Sequence, residues 1–436
     1  MVVADVYING TYDYKKAYEC LNILNQERKK IGLSELKMDK DVLEAAMTRA
    51  GEISLFFNHS RPNSTSYYVL NKKINSENIA AGSSTAQGAI NIWMESTMGH
   101  KENMLSKSWN LVGIGCFVTS TGITYWVQNF GNDTINQQSS IPANVTKDVK
   151  VQTIEDPLEL VWKETGKTDY SVDLNINNVL TPHVCSINKG WSPVKTVLKN
   201  YSFEWKSSDT SIATVDSNGK ITAKLAGTTT ITATVKGLKN KKICMTVNVK
   251  LPFEDVSSSA WYYNAVKYVY NNNIIKGYNN TKFGPNDKIT RGQFVTVLYR
   301  MEGEPSISGK TKFKDVQDTS KFYYKAVKWA EDKKVISGYD NGNFGPEDKI
   351  TREQLAVILY KYAKYKRKDV SATNNLSEFA DTNKISNWAI LQVKWAVGAG
   401  VITGNNVTPP TLNPKGYATR AEASAMIEKY CKKVGR

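Results

Sequence analysis

The sequence predicts a multidomain chain: a mixed α/β segment, a small β-sandwich and a repeated all-α unit. Three observations carry this. Residues 14–131 mix apolar residues at helical spacing with short strand-like runs, residues 151–250 read as strands with β-branched and polar residues alternating most clearly over 211–235, and the chain from 252 onward consists of three repeats. A length of 436 residues fits roughly two to four domains.

Hydrophobic residues at 41% and charged residues at 22% are ordinary globular values and argue against disorder. No apolar run approaches the ~18–20 residues of a membrane-spanning helix. The opening MVVADVYING contains an acid and lacks a basic region followed by a long apolar core, so no signal peptide is expected in the sequence as given. The net charge of +16 is unevenly spread. Residues 1–135 carry 13 basic and 13 acidic side chains, residues 136–250 carry 15 and 10, and residues 251–436 carry 29 and 18. An acidic partner is therefore expected toward the C-terminal end. Zinc-finger spacing, RNP-like runs and basic helices are missing, so nucleic acid is not the expected partner. Five scattered cysteines with no CxxC read as thiols packed like small hydrophobes; Cys185–Cys244 is the best candidate bridge.

In the first segment, Leu21, Asn25 and Arg28, then Leu43, Ala46, Arg49 and Ala50, have amphipathic helical spacing, and Gly32 suits a helix stop. Val112 to Cys116 and Tyr125 to Gly131 read as a strand pair. His59 and His100 lie in separate stretches with Glu77 between them. Two imidazoles and a carboxylate have the chemistry for a divalent metal with an open position, or for a buried hydrogen-bonded network bracing a cleft. The motifs Phe57-Asn-His59-Ser-Arg61-Pro62, Glu77-Asn-Ile-Ala80, Trp93-Met-Glu-Ser96-Thr-Met-Gly99-His100 and Tyr125-Trp-Val-Gln-Asn-Phe-Gly131 occur in that order. Across 18–131 they resemble the CAP superfamily in its bacterial secreted form. The resemblance implies an α-β-α sandwich over residues 14–131, with His59, Glu77 and His100 lining a central cleft. The cleft's second acid is replaced by Ser96, and Glu95 is about 100° away around a helix. Zinc at His59 and His100 is accordingly expected to be weak or absent, and no cofactor is required. The resemblance leaves two activities open: binding of a small, lipidic or host ligand, or hydrolysis using the His/Glu cleft.

Residues 132–150, polar and aperiodic, read as a linker; residues 151–250 read as strands, of which 151–176 resemble no known family. Ser211 to Val235 alternates around Asn218-Gly219 and Gly227, a hairpin signal. With Trp205 and the turns that follow, residues 177–250 resemble bacterial immunoglobulin-like group 2 domains, β-sandwich spacers with no implied site.

The repeats read as units at 252–304, 312–366 and 378–432. Phe253-Glu-Asp255, Phe313-Lys-Asp315 and Phe379-Ala-Asp381 open them, and Trp261, Phe322 and Trp388 follow. Ile275-Lys-Gly277, Ile336-Ser-Gly338 and Ile402-Thr-Gly404 come next, then Phe283-Gly-Pro285, Phe344-Gly-Pro346 and Leu412-Asn-Pro414. Thr290-Arg291, Thr351-Arg352 and Thr419-Arg420 then start apolar helices, with Gln293, Gln354 and Glu422 completing capping boxes. Arginine at a first helical position is disfavoured by the macrodipole. Its threefold use points to an anion at each helix start, or to an acid of the preceding repeat. The repeats resemble S-layer homology modules, which implies a pseudo-threefold helical prism binding an acidic, often pyruvylated, secondary cell-wall polysaccharide. The resemblance gives carboxylate binding to Arg291, Arg352 and Arg420, sugar-hydroxyl binding to Asp255, Asp315 and Asp381, and groove walls to Trp261 and Trp388. Core packing is the alternative for the tryptophans. The third unit has Asn405 where the others have Tyr278 and Tyr339, so a degenerate groove is expected beside it. The whole reads as a secreted protein associated with the cell wall.

Overall fold

The computed structural model describes residues 3–154, 158–188, 195–238 and 241–435. They form two compact units, one of 1–224 with 228–248, the other of 225–227 with 249–436. Residues 155–157, 189–194 and 239–240, within the stretches read above as strands of no known family or as β-sandwich, lie outside the described residues.

The first unit opens with β1 (Val3–Tyr12), α1 (Tyr14–Lys30), β2 (Lys37–Met38) and α2 (Lys40–Leu55). It continues through β3 (Ser76–Ala81), α3 (Ala86–Met94), α4 (His100–Met104), β4 (Leu111–Thr119), β5 (Thr124–Gly131) and β6 (Val145–Ile154). Asp13 starts α1 by accepting from Lys16 N, Asp39 starts α2 by accepting from Asp41 N and Val42 N, and Gly32 at φ +75° ends α1. The sheet runs β3-β5-β4-β1-β6, with β2 parallel beside β4.

Successive residues of β4 face opposite sides. On one side Gly113 and Gly115 let α2 approach so closely that an added Cβ would sit 2.2 Å from Val42 O and 2.0 Å from Ala46 O. On the other, Ile114 pairs with Gln128, whose side chain reaches Cys20 of α1. Helices thus cover both faces, the expected α-β-α sandwich.

Its limits are wider than the motifs suggested. β1 and β6 pair antiparallel along their whole lengths, from Val3 with Ile154 to Tyr12 with Val145. Residues 145–150, read as the end of a linker, are therefore strand. Val149, Val151 and Thr153 are buried, and the alternate residues 148, 150 and 152 are not.

The β-rich remainder has β7 (Leu158–Trp162), β8 (Ser171–Asn175), β9 (Val179–Leu180), β10 (Val184–Asn188), β11 (Lys195–Thr196), β12 (Phe203–Ser207), β13 (Ala213–Val215), β14 (Ile221–Ala223), β15 (Gly227–Val235) and β16 (Lys242–Lys250). They form sheets β11-β10-β7, β12-β15-β16-β8 and β13-β14-β9. Residues 151–176, expected as strands, supply the end of β6 and strands β7 and β8. Among the described residues no disulfide forms; Cys185 on β10 and Cys244 on β16 lie in different sheets.

In the second unit the long elements are helices: α5 (Tyr263–Asn271), α6 (Arg291–Met301), α7 (Tyr324–Asp332), α8 (Arg352–Tyr365), α9 (Ile390–Gly398) and α10 (Arg420–Tyr430). The last helix of each repeat packs on the first helix of the next: α6 on α7, α8 on α9, and α10 back on α5. Three β-bridges, Thr290 with Lys349, Thr351 with Tyr417 and Lys288 with Thr419, join the repeats in the same cycle. The unit is therefore a closed ring of three with a small amount of β pairing, not purely helical.

Replacing Gly115 by Ala should lower stability by about 1–3 kcal/mol or more, since neither the helix backbone nor β4 can yield freely. Denaturant unfolding of the full chain checks this.

Candidate functional sites

The cleft residues of the first unit meet around β3. Glu77 and Asn78 point to opposite faces of this strand. Glu77, fully buried at its side chain, accepts from Arg49 Nε at 3.0 Å and lies 3.0 Å from His59 Nδ1. Arg49, also fully buried, extends from α2 and lies 3.6 Å from Glu52 as well. Arg61 forks onto Glu52 at 2.6 and 3.0 Å, so the loop after α2 is tied down by two carboxylates. On the opposite face Asn78 donates to His100 O at 2.9 Å and accepts from Asn103, anchoring α4. His100 Nδ1 lies 2.8 Å from Ser96 Oγ. Burial, and next the charge of His59, hold the His100 imidazole below its ordinary pKa.

The structure therefore connects His59 to Glu77 directly and His100 to Ser96 instead. A catalytic zinc centre takes three protein ligands. Here both Glu77 oxygens are engaged, and among the described residues no three His, Cys, Asp or Glu side chains group as a metal site. The chain thus offers two imidazoles and a carboxylate already balanced by Arg49. Arg49 was missed by the sequence reading as a site residue. The signal was present: it follows Leu43 and Ala46 on the apolar stripe of α2, where only a paired charge is tolerated.

In the second unit all three capping boxes form, with Gln293, Gln354 and Glu422 returning to the backbone N–H of Thr290, Thr351 and Thr419. Each arginine reaches into the next repeat of the ring. Arg291 Nε donates to Phe344 O at 2.8 Å and Nη2 to Ser337 O at 3.1 Å. Arg352 makes the same pair with Leu412 O and Thr403 O, and Arg420 with Phe283 O and Lys276 O. Carbonyl oxygens thus offset the unfavourable helix-start position. Asp255, Asp315 and Asp381 each accept two backbone N–H bonds from the turn that supplies the arginine's carbonyl, at 2.7–2.8 Å. Before any role toward a sugar, these carboxylates hold that turn.

The arginines are not equivalent. Arg291 and Arg420 are each 5% exposed and lie under Tyr339 and Tyr278, at 4.8 and 4.4 Å from the ring centres. Among the described residues neither makes an ion pair with a carboxylate. Arg352, which has Asn405 in place of that tyrosine, pairs with Glu422 at 3.1 Å and borders a pocket of about 410 Å³. Trp261 lines it too, so this pocket draws on all three repeats. The groove expected to be degenerate thus borders an open cavity. Trp261, Phe322 and Trp388 are 69%, 59% and 56% exposed, which removes the core-packing alternative for them.

Sequence reading also missed a second basic residue nine positions after each arginine: Arg300, Lys361 and Lys429. Lys361 bonds Ser337 Oγ at 2.6 Å and Lys429 bonds Thr403 Oγ1 at 3.0 Å, each on the residue whose carbonyl its neighbouring arginine uses. Burial lowers the pKa of both lysines.

Comparison with known proteins places three family models on the chain. The S-layer homology domain matches residues 252–295, 312–356 and 378–424, the cysteine-rich secretory protein family matches 21–130, and the bacterial Ig-like domain (group 2) matches 194–246. Relatives include an endoglucanase of Bacillus sp. (strain KSM-635), 31% identical over 40% of this chain and 18% of its own length. A cellulosome-anchoring protein of Acetivibrio thermocellus is 28% identical over 36% of this chain and 35% of its own. The chain thus spans only a minor part of these relatives. Among solved structures, an outer surface protein from Borrelia burgdorferi aligns at 21% identity over 28% of this chain and 98% of that one, with TM-score 0.26. The set of modules is that of a cell-surface, cell-wall-associated protein, and among the described residues no helix is long and apolar enough to cross a membrane.

Glu77→Gln should cost about 3 kcal/mol, because it leaves the buried Arg49 with only the more distant Glu52, which Arg61 already holds; urea unfolding reads this. His100 should titrate below the ordinary ~6.5, followed by NMR. The unfolded chain then binds the proton more readily, so the stability linked to His100 is complete above that ordinary value and is lost as pH falls toward the folded one.

Proposed function

We propose that this chain, built of a CAP domain, a group 2 Ig-like domain and three S-layer homology modules, attaches non-covalently to an acidic, pyruvate-type wall polysaccharide and displays a ligand-binding CAP cleft. The observation that carries the attachment is the charge state of Arg291 and Arg420. Each is a nearly buried guanidinium satisfied by carbonyls and aromatic faces but lacking a carboxylate partner among the described residues. Burial lowers the pKa of both, and the carboxylates that offset it, Asp348 and Asp315 for Arg291 and Asp287 and Asp255 for Arg420, lie beyond ion-pair distance, which leaves the guanidinium charge to be met directly by an anionic ligand. Arg300 lies near Arg420 and lowers its pKa, and Lys361 shares Ser337 with Arg291, so each groove has a second cation to reach a sugar acid. Exposed Phe322 and Trp388 are the aromatic counterparts of Trp261 in those two repeats. The excess of 29 basic over 18 acidic side chains in 251–436 supports the same polarity of partner.

For the CAP cleft the binding reading, of a small, lipidic or host ligand, is favoured because its acid is engaged by Arg49 and not free for acid–base work. A hydrolytic reading has one observation behind it. His100, held toward its neutral form, sits within hydrogen-bond reach of Ser96 and has the geometry to take the hydroxyl proton during attack on an acyl carbon. Ester or peptide turnover abolished by Ser96→Ala and His100→Ala would favour hydrolysis; metal analysis of the same preparations tests zinc at His59 and His100.

The attachment is tested by sedimenting the full chain with purified cell walls. Arg300→Ala with Lys361→Ala, which spares the ties between repeats, should weaken binding about tenfold and flatten its salt dependence. Undiminished sedimentation of the folded double variant would sink the charged-groove reading.

A further inference from the structure

Strand β1 has two successive partners along its outer edge, and the second comes from the Ig-like domain. Its pairing with β6 runs over all ten residues, whereas β4 pairs with Gly10, Thr11 and Tyr12. Residues 3–9 therefore project past the β4–β5 hairpin with one side of their backbone still to be satisfied. The odd-numbered residues carry the groups on that side. Asn9 O accepts from Ser120 N at 3.1 Å, at the tip of the hairpin. Tyr7 N donates to Val197 O at 3.1 Å, and Tyr7 O accepts from Val197 N at 2.8 Å. Asp5 N donates to Tyr201 Oη at 3.1 Å. Val197 follows β11 directly, so backbone pairing continues from β7 through β10 and β11 to β1.

Side chains of the same segment add to this. On the polar face of the β1–β6 ribbon Lys199 pairs with Asp148 and lies 5.2 Å from the ring centre of Tyr7, and Asn200 donates to Tyr7 Oη at 3.3 Å. Thr196 and Leu198, on either side of Val197, are buried. Both β1 and β6 lie outside residues 21–130, which match the cysteine-rich secretory family, while 197–201 lie inside 194–246, which match the Ig-like domain. The ribbon is thus an addition to the matched CAP core, and its outer edge is taken by the neighbouring domain. The two domains are connected twice, once through 155–157 between β6 and β7 and again at 197–201. Domains joined by a single connection move relative to one another by default; a second attachment away from the first removes the hinge.

We infer that residues 197–201 are a strap that locks the CAP domain to the Ig-like domain, so that the cleft is carried on one rigid two-domain body and not on a flexible spacer. The partner that fits the outer edge of β1 is the chain's own Ig-like domain. This lock is independent of what the cleft binds and of how the chain attaches to the wall.

The test uses the ¹⁵N-labelled full chain. Residual dipolar couplings of amides in α1, α2 and β4 and of amides in β12, β15 and β16 should fit one alignment tensor, and the Asp5 and Tyr7 amides should be protected from hydrogen exchange. Tyr201→Phe removes the acceptor of Asp5 N and should speed exchange of that amide at least tenfold. Val197→Pro removes the donor to Tyr7 O. It should speed exchange at Tyr7 at least tenfold and split the couplings into two tensors, with exchange in β4 unchanged. Should Val197→Pro unfold the Ig-like domain, Lys199→Ala combined with Tyr201→Phe, which leaves every backbone group in place, is read in the same way. The lock is overturned if the wild-type couplings require two tensors, if wild-type Asp5 and Tyr7 exchange as fast as unpaired amides, or if Tyr201→Phe leaves exchange at Asp5 unchanged. A chain that is dimeric in sedimentation equilibrium and becomes monomeric in the strap variants overturns it too, because the strap would then bind a second copy.

Discussion

The second unit depends on one recurring contact, an arginine at a helix start donating to two carbonyls of the next repeat. The position is electrostatically wrong for a cation when the helix is considered alone. Two carbonyl oxygens, held in place by an aspartate that binds the N–H groups of the same turn, reverse that balance. Because each arginine reaches forward and the third reaches back to the first, no repeat can be completed without its neighbours. The helix pairs and the three β-bridges follow the same cycle.

Much of this was legible in the sequence, and what was not has physical causes. The capping boxes depend on residues three apart, so Thr290, Thr351 and Thr419 could be read directly. The partners of the arginines lie 46 to 144 residues away, and a periodic pattern says nothing about which repeat supplies the carbonyls. An anion or an acid of the preceding repeat were the alternatives; backbone carbonyls of the following repeat hold all three, and the one acid that pairs, Glu422 with Arg352, also comes from the following repeat. Where a degenerate groove was expected, Asn405 leaves Arg352 without the ring that covers Arg291 and Arg420, beside a cavity of about 410 Å³.

The CAP domain teaches a similar lesson about polar residues inside. Its motifs identified His59, Glu77 and His100, but not their partners. Glu77 is held by Arg49 as well as by His59, and the backbone of His100 is fixed through Asn78 while its ring meets Ser96. Arg28 and Arg49 both sit on apolar stripes and are almost wholly buried, Arg28 donating to three carbonyls and Arg49 to an acid. Strands β1 and β6 escaped notice for a different reason. Each alternates clearly, but each lies outside the run of motifs, and its burial depends on the other.

Comparison of the three repeats within this one chain separates what the ring requires from what its surface is free to change. The Thr-Arg pair, the turn-holding aspartate and the aromatic that opens each unit are kept three times. The departures, Asn405 for Tyr, Leu412-Asn for Phe-Gly and Glu422 for Gln, touch one cavity together. All of these residues line that cavity, and the cap survives because Glu422 accepts from Thr419 N as Gln293 and Gln354 do from Thr290 N and Thr351 N. The repeat is thus held constant by the contacts that close the ring and varied where it faces solvent.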